Sequence, residues 1–420
     1  MKVLYISADL GIPILGGKGG AVHVRSLVAA LSRAGHEVVV AAPTLNKSPW
    51  EQPAELDGRL LHLPPSDEVK DAALILKSFN ATIDGNANSL SGQVRRILYN
   101  QQLEKQLVRK FDSHPPDLIY ERCSLFATAG VTLAREINRP LIVELNAPLA
   151  REQAAYRGSA LNELATTAEQ WTLTRADAVV AVSDQVREYA ISIGVDPERV
   201  HVVPNGVDTS LFHPRRDGVD LPERWRLGAG PILGFVGGLR PWHGVELLPD
   251  VLADLLPDFP DLQLVIAGEG PLLSELVNRL EARGVADHAI LTGLLPHDQI
   301  PHLIRQFDIG LAPYPELHHD FYFSPLKLFE YMACAVPVVA PAVGQISDVV
   351  QHDHHGLLYD VHDKNALATA CHLLLSDRAK RQTLGANGAE LIAQNFTWDR
   401  NARRVMHLAG ELADYRGVSA

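Results

Sequence analysis

The stretch SPLKLFEYMACAVPVV, residues 324–339, gathers residue types suited to holding phosphate. Ser324 is a good helix cap and Pro325 suits a first helical position, so the spacing predicts a helix whose first backbone N–H groups stay open. An open N-terminus of this kind attracts anions. Leu326 and Lys327 fall in the same turn, where a cation works against the helix dipole but strengthens attraction for a bound phosphate, and Glu330 lies one turn later on the same face. Together they suit a phosphate beside a hydroxyl-bearing group, which a sugar joined to a nucleoside diphosphate would supply. The plainer alternative is a buried helix with a good cap and one surface lysine.

A second group stands near the start of the chain. An apolar run at 2–7 leads into Gly16, Gly17, Gly19 and Gly20, followed by a predicted helix from about Ala21 to Ala34. Glycine lets backbone approach a ligand closely. The loop is long and carries no G-x-G-x-x-G directly after the strand, which argues against a nicotinamide enzyme. His23 and Arg25, in the opening turns of the helix, either reach an acceptor or a phosphate or stand as solvated surface residues. Further on, Glu121 and Arg122 in YERCS and Glu144 and Asn146 in IVELNAP close two strand-like runs, and the two glutamates serve either a site or the structure.

Metal chemistry has little support in the spacing. No D-x-D occurs, so nothing pairs carboxylates in the usual way around a metal-bound diphosphate, and Lys327, Arg240 and a helix N-terminus offer cationic alternatives. His352, His354 and His355 in QHDHHG, and His318 and His319 in ELHHD, sit in polar loops without the i, i+4 spacing of a helical zinc site. Cys123, Cys334 and Cys371 are far apart and read as core thiols.

Short apolar runs alternate with amphipathic stretches, the pattern of parallel βα units. One series lies at 2–7, 37–42, 117–121, 140–145, 178–182 and 200–203; a second begins afresh at 232–236 and continues at 262–267, 289–292, 308–312, 336–340 and 356–359. Between them PNGVDTSLFHPRRDGVDLPERWRLGAG is rich in proline, glycine and charge, so the expected domains are 1–212 and 213–398, with a last helical segment at 399–420. The fold class is α/β, two doubly wound domains facing each other, with ligands expected in the cleft beyond the strand ends.

Composition fits such a protein. The 420 residues are 46% apolar with a mean hydropathy near zero, and no apolar run reaches the length of a membrane span. Asp9 interrupts the signal-like start, so the expected location is cytoplasmic. A net charge of −12 argues against nucleic acid as the main partner. The basic amphipathic segment 93–111, QVRRILYNQQLEKQLVRKF, is either a solvated helix or a contact with the inner face of a membrane.

The blocks GGKGGAVHVRSLVAALSRAGHEVVVAAP, ADAVVAVSDQVREYA, VVPNGVDTSLF, GFVGGLRPWHGVELL, LVIAGEGP and SPLKLFEYMACAVPVVA, in that order along nearly the whole chain, resemble the GT-B glycosyltransferases of family GT4. The resemblance implies two Rossmann-like domains and a final helix crossing back to the first. It also implies retaining transfer from a nucleotide-activated sugar, a UDP-, GDP- or ADP-sugar, to a small-molecule, glycan or lipid-linked acceptor, without a metal or other cofactor. Carried over by position, Glu330 resembles the glutamate on the donor ribose, and Ser324, Pro325, Leu326 and Lys327 the segment meeting diphosphate and sugar hydroxyls. Gly19 and Gly20 resemble the loop that approaches sugar and diphosphate, and His23 a histidine following it.

The departures are specific. In the loop 237–244 the family's arginine position reads Gly238 and its lysine position His243, with Arg240 near enough to supply charge. The first glutamate of the family's E-x7-E pattern is Tyr322, and the histidine expected after the fourth strand is Asn146, with Glu144 two residues before it. Asparagine cannot take up a proton as imidazole does, but its amide can orient a hydroxyl. A nucleotide-sugar epimerase of the same architecture, or a catalytically silent sugar-nucleotide-binding protein, is the alternative.

Overall fold

Aliphatic and β-branched runs form strands covered on both faces, as a parallel sheet requires. The computed structural model describes residues 1–46, 54–83, 88–215, 227–317 and 321–416. The chain divides into two compact units, Met1–Pro204 together with the segment from Trp398 onward, and Asn205–Thr397. The division falls earlier than 212/213 because Val207 hydrogen-bonds Phe396 and Phe212 packs with Val207 in the core of the second unit.

The first unit has seven strands among the described residues, β1 Lys2–Ser7, β2 Glu37–Ala42, β3 Arg59–His62, β4 Leu118–Arg122, β5 Leu141–Leu145, β6 Ala178–Ala181 and β7 Val200–Val202. They pair in parallel in the order β3-β2-β1-β4-β5-β6-β7. β3 was not anticipated, since its short RLLH run is only partly buried at the sheet edge. The helix Trp398–Arg416 packs on the helix Gly19–Arg33, with Arg33 and Asp399 paired at 2.7 Å and Asn401 donating to the Pro204 carbonyl.

Among the described residues the second unit has six strands, β8 Ile232–Val236, β9 Gln263–Ala267, β10 Ala289–Gly293, β11 Ile309–Leu311, β12 Val338–Pro341 and β13 Gly356–Tyr359, in the parallel order β10-β9-β8-β11-β12-β13. Alternate residues feed opposite cores. Ile232, Val236, Val265, Val338 and Ala340 enter one cluster, while Leu233, Phe235, Leu264, Ile266 and Val339 enter the other.

Among the described residues no helix is long and apolar enough to cross a membrane. The segment 93–111 belongs to the helix Asn88–Phe111, which buries Tyr99, Leu103, Leu107 and Phe111; its apolar face is therefore used in packing. Cys123, Cys334 and Cys371 are free and buried. No cluster with metal-ligand composition occurs among the described residues, and His318 and His319 lie outside them.

Glu121 is a structural group. Its side chain points to the face of the first sheet opposite Tyr120 and Arg122 and is fully buried against Gly130, where an added Cβ would lie 2.1 Å from the carboxylate. Burial pushes its pKa up to about 8, offset only in part by the Gly130 N–H. A carboxyl raised in this way keeps a proton that the unfolded chain has released, so its penalty is absent below about pH 4.5 and grows with pH until about 8. Glu121→Gln, which mimics the neutral acid, is expected to match the parent near pH 5 and to exceed it by about 1–3 kcal/mol at pH 8. Denaturant unfolding at the two pH values checks this; a difference that does not change with pH rejects the assignment.

Candidate active site

In the second sheet the winding reverses between β8 and β11, the place where doubly wound sheets bind ligands beyond their strand ends. Gly237 and Gly238 follow β8 directly. Gly237 has φ +148°, and a Cβ on the neighbouring Gly268 would sit 1.9 Å from the Gly237 carbonyl oxygen, so the turns after β8 and β9 meet backbone to backbone. Lys327 points at this turn, its Nζ 3.1 Å from where a Gly237 side chain would begin.

Lys327 is only 8% exposed, which excludes the surface-lysine alternative. Its Nζ lies 4.4 Å from the ring centroid of Phe235 and 5.0 Å from that of Tyr314, and has no hydrogen-bond partner among the described residues. Burial pulls its pKa down to about 7, with Glu330 offsetting part of the effect. The helix itself runs Leu326–Ala333, with Pro325 as its cap residue and no side-chain cap. Ser324 does not cap it, because its hydroxyl accepts the Asn205 N–H and its carbonyl the Asn205 side-chain amide, at 3.0 and 2.9 Å.

The loop after Gly238 returns on itself. His243 Nδ1 lies 2.5 Å from the Gly238 carbonyl, so Nδ1 carries the proton and donates. Burial and then the charge of Lys327 lower its pKa to about 3, leaving a neutral ring. Arg240 is exposed, its guanidinium 5.9 Å from the Trp242 ring. Glu330 is largely buried, 3.9 Å from His297 Nε2. Tyr322, standing in place of the expected glutamate, is buried against Phe323 and brings no charge.

In the first unit the corresponding reversal lies between β1 and β4. Residues just past both strands, Ala8, Asp9, Ser124 and Leu125, line a cavity with Arg96, Tyr99 and Asn100. Asn100 caps the helix Ala129–Glu136 by accepting from the Thr128 and Ala129 N–H groups. A second cavity is bounded by His23, Tyr120, Glu144, Trp398 and Asn401.

Glu144, 2% exposed at the end of β5, accepts from four side chains. Tyr120 Oη donates at 2.7 Å, Arg122 at 2.6 Å, Asn146 Nδ2 at 2.5 Å and His23 Nε2 at 2.9 Å. Burial alone would raise the carboxyl pKa; His23, followed by Arg122 and Asn146, outweighs it and holds the group well below the usual carboxylate range. A carboxylate only accepts, so Asn146 turns its amide nitrogen to Glu144, which leaves Oδ1 to accept elsewhere.

His23 is thus buried and pinned, with Trp398 edge-on at 4.7 Å, and is not a solvated residue. Arg25 is not a surface group either. It ties the glycine loop by donating to the Ile14 and Gly16 carbonyls, both at 2.7 Å. Gly19 and Gly20 belong to the first turn of the helix Gly19–Arg33 and not to the loop, since Ala21 and Val22 already bond back to Lys18. Sequence reasoning missed Tyr120 and Trp398. Strand alternation could have found Tyr120, since it shares a face with Arg122, which stands in register with Glu144.

The Glu144 carboxylate compensates two buried donors, and removing it would strand them. Glu144→Ala is expected to lose about 3–5 kcal/mol of stability at pH 7, against about 1.5–3 kcal/mol for Tyr120→Phe. Because the folded pKa is depressed, this contribution is present above the unfolded carboxyl pKa of about 4.3 and is lost as pH falls below it. Denaturant unfolding of both variants tests the ranking, and equal small losses would contradict it.

Comparison with known proteins matches the model "Glycosyltransferase Family 4" over residues 17–211 and "Glycosyl transferases group 1" over 222–391. A D-inositol 3-phosphate glycosyltransferase of Jonesia denitrificans is 31% identical over 357 residues, covering 81% of each chain. Among solved structures, a sucrose-phosphate synthase of Thermosynechococcus elongatus superimposes with a TM-score of 0.70 at 22% identity, covering 99% of both chains. The HepE protein of Anabaena, solved in complex with UDP-glucose, gives 0.70 at 18% identity, covering 98% of this chain and all of its own. With 31% identity sustained across four-fifths of both chains and two Rossmann-like parallel sheets of the GT-B type, the protein belongs to the family 4 glycosyltransferases.

Proposed function

We propose that this glycosyltransferase moves a sugar, with retention at the anomeric carbon, from a nucleoside-diphosphate sugar to a hydroxyl-bearing acceptor in the cytoplasm. The observation that carries the reading is Lys327, a buried ammonium without a hydrogen-bond acceptor among the described residues, aimed at a glycine turn from the first turn of a helix with no side-chain cap. A diphosphate supplies the missing acceptor. Glu330 takes the ribose hydroxyls, and Gly237, Gly238, His243 and Arg240 border the phosphates. A relative solved with UDP-glucose and another named for inositol phosphate support this class of donor and a hydroxyl-bearing acceptor.

In the reaction the bond from the anomeric carbon to the diphosphate oxygen breaks, and its electron pair stays on the phosphate. Lys327, Arg240 and the helix N-terminus offset that charge. The acceptor oxygen bonds the anomeric carbon from the same face, and its proton passes to the departing phosphate oxygen. Asn146 Oδ1, left to accept because the amide nitrogen bonds Glu144, accepts a hydrogen bond from a substrate hydroxyl and so positions it. Glu144 and His23 act through that positioning. The cavity of Asp9, Arg96 and Ser124 supplies further acceptor contacts.

Incubation with UDP-, GDP- and ADP-sugars and an acceptor panel, reading nucleotide release and the anomeric configuration of the product by NMR, tests the reading. Inversion, or a changed sugar still joined to its nucleotide, would overturn it. Transfer is expected to survive EDTA, since Lys327, Arg240 and the helix N-terminus can offset the diphosphate charge; complete loss restored by a divalent ion would reject metal independence. Lys327→Met should weaken nucleoside diphosphate binding by about 1.5–3 kcal/mol. The same variant should raise the melting temperature of the empty protein, because it removes a buried ammonium with no acceptor. Calorimetry and thermal melts read the two effects, and unchanged affinity in a folded variant would remove Lys327 from the site.

A further inference from the structure

The position of His243 points to a role that a lysine in its place could not fill. Its ring centroid lies 6.3 Å from that of Phe235 and 5.9 Å from that of Tyr314, the same two rings that flank the Lys327 ammonium. Both side chains also border one turn. Lys327 Nζ faces Gly237, and His243 Nδ1 bonds the Gly238 carbonyl. That bond fixes the tautomer, so in the empty protein Nε2 holds a lone pair. A lone pair facing a phosphate oxygen repels it; an N–H donates to it.

From this juxtaposition we propose that the donor's diphosphate binds together with protons, which convert His243 to an imidazolium donating from Nε2 and complete the charge on Lys327. The inference rests on the proposed donor class and deepens it. The empty site disfavours both charges, since burial and mutual repulsion hold His243 down to about 3 and burial holds Lys327 to about 7. A dianion removes the repulsion and satisfies both donors. The other charged and titratable groups around the pair do not replace this effect. Arg240, on the same loop, adds repulsion; Glu330, on the Lys327 helix, is one turn away and close to His297. The Tyr314 phenol is held neutral by burial, the Tyr331 hydroxyl accepts the Val236 N–H, and the Glu269 carboxylate lies near Gly293.

The sign follows from linkage. Affinity falls as pH rises wherever the bound state holds more protons than the empty state, by about tenfold per pH unit for each proton taken up. Titration calorimetry of the full chain with UDP-glucose, GDP-mannose and ADP-glucose, in buffers of differing ionisation enthalpy, measures that uptake. The diphosphate diester of these probes stays fully ionised across the pH range used. For whichever probe binds, the expected uptake is close to one proton at pH 6, chiefly on His243, whereas at pH 8 Lys327 contributes most of it. His243→Asn keeps a donor for the Gly238 carbonyl but cannot titrate, so its uptake should fall to about zero at pH 6 and remain near one at pH 8. Binding without uptake at pH 6 in the parent, or the same uptake in the variant, overturns the proton linkage and leaves the proposed function standing. No binding by any probe at any pH overturns both. If His243→Asn does not fold, the parent's uptake and the pH slope of its affinity decide alone.

Discussion

A buried ammonium group with no acceptor opposes folding, and the second unit is arranged around one. Asn205 binds both the hydroxyl and the carbonyl of Ser324, setting the backbone that leads into Pro325 and Leu326 and so the start of the helix that carries Lys327. Phe235 and Tyr314 then accept the cation on their ring faces, a partial compensation typical of cation–π contacts. Burial still pulls the Lys327 pKa down to about 7, so the rings offset only part of the cost of the charge.

The first unit handles buried charge the other way. Glu144 is as deeply buried as Lys327, yet four donors satisfy it, and its charge is stabilised in the empty protein. The consequence is geometric: a fully bonded carboxylate holds Tyr120, His23, Arg122 and Asn146 in fixed orientations. One unit therefore stores unsatisfied charge and the other stores fixed geometry.

The alternation of strands and helices was legible because both-face burial gives each parallel strand a continuous apolar run, which few other structures tolerate. β3 escaped notice because an edge strand needs no such run. The helix Leu326–Ala333 was legible in place but not in detail. Ser324 looked like its cap on local preference, and the residue that overrode the preference, Asn205, lies 119 positions away in sequence. A surface position stayed open for Lys327 and Arg25 in the sequence; their burial depends on which faces other elements cover, information that no local window holds. Glu144 and Asn146 were visible as a pair, but Tyr120 and Trp398 join them only through sheet register and a returning C-terminal helix.

The departures from the family pattern become coherent when their charges are considered together. Tyr322 removes a carboxylate from the second unit and closes the space with aromatic packing, so less negative charge remains to support Lys327. A second permanent ammonium at 243 would then face Lys327 across two shared rings with little to offset the repulsion. Histidine relieves that strain by becoming neutral when the site is empty, while its Nδ1–H keeps the Gly238 carbonyl satisfied. The loss of a glutamate and the exchange of a lysine for a histidine thus offset one another: the first leaves Lys327 with less negative charge nearby, and the second takes a permanent positive charge away from it.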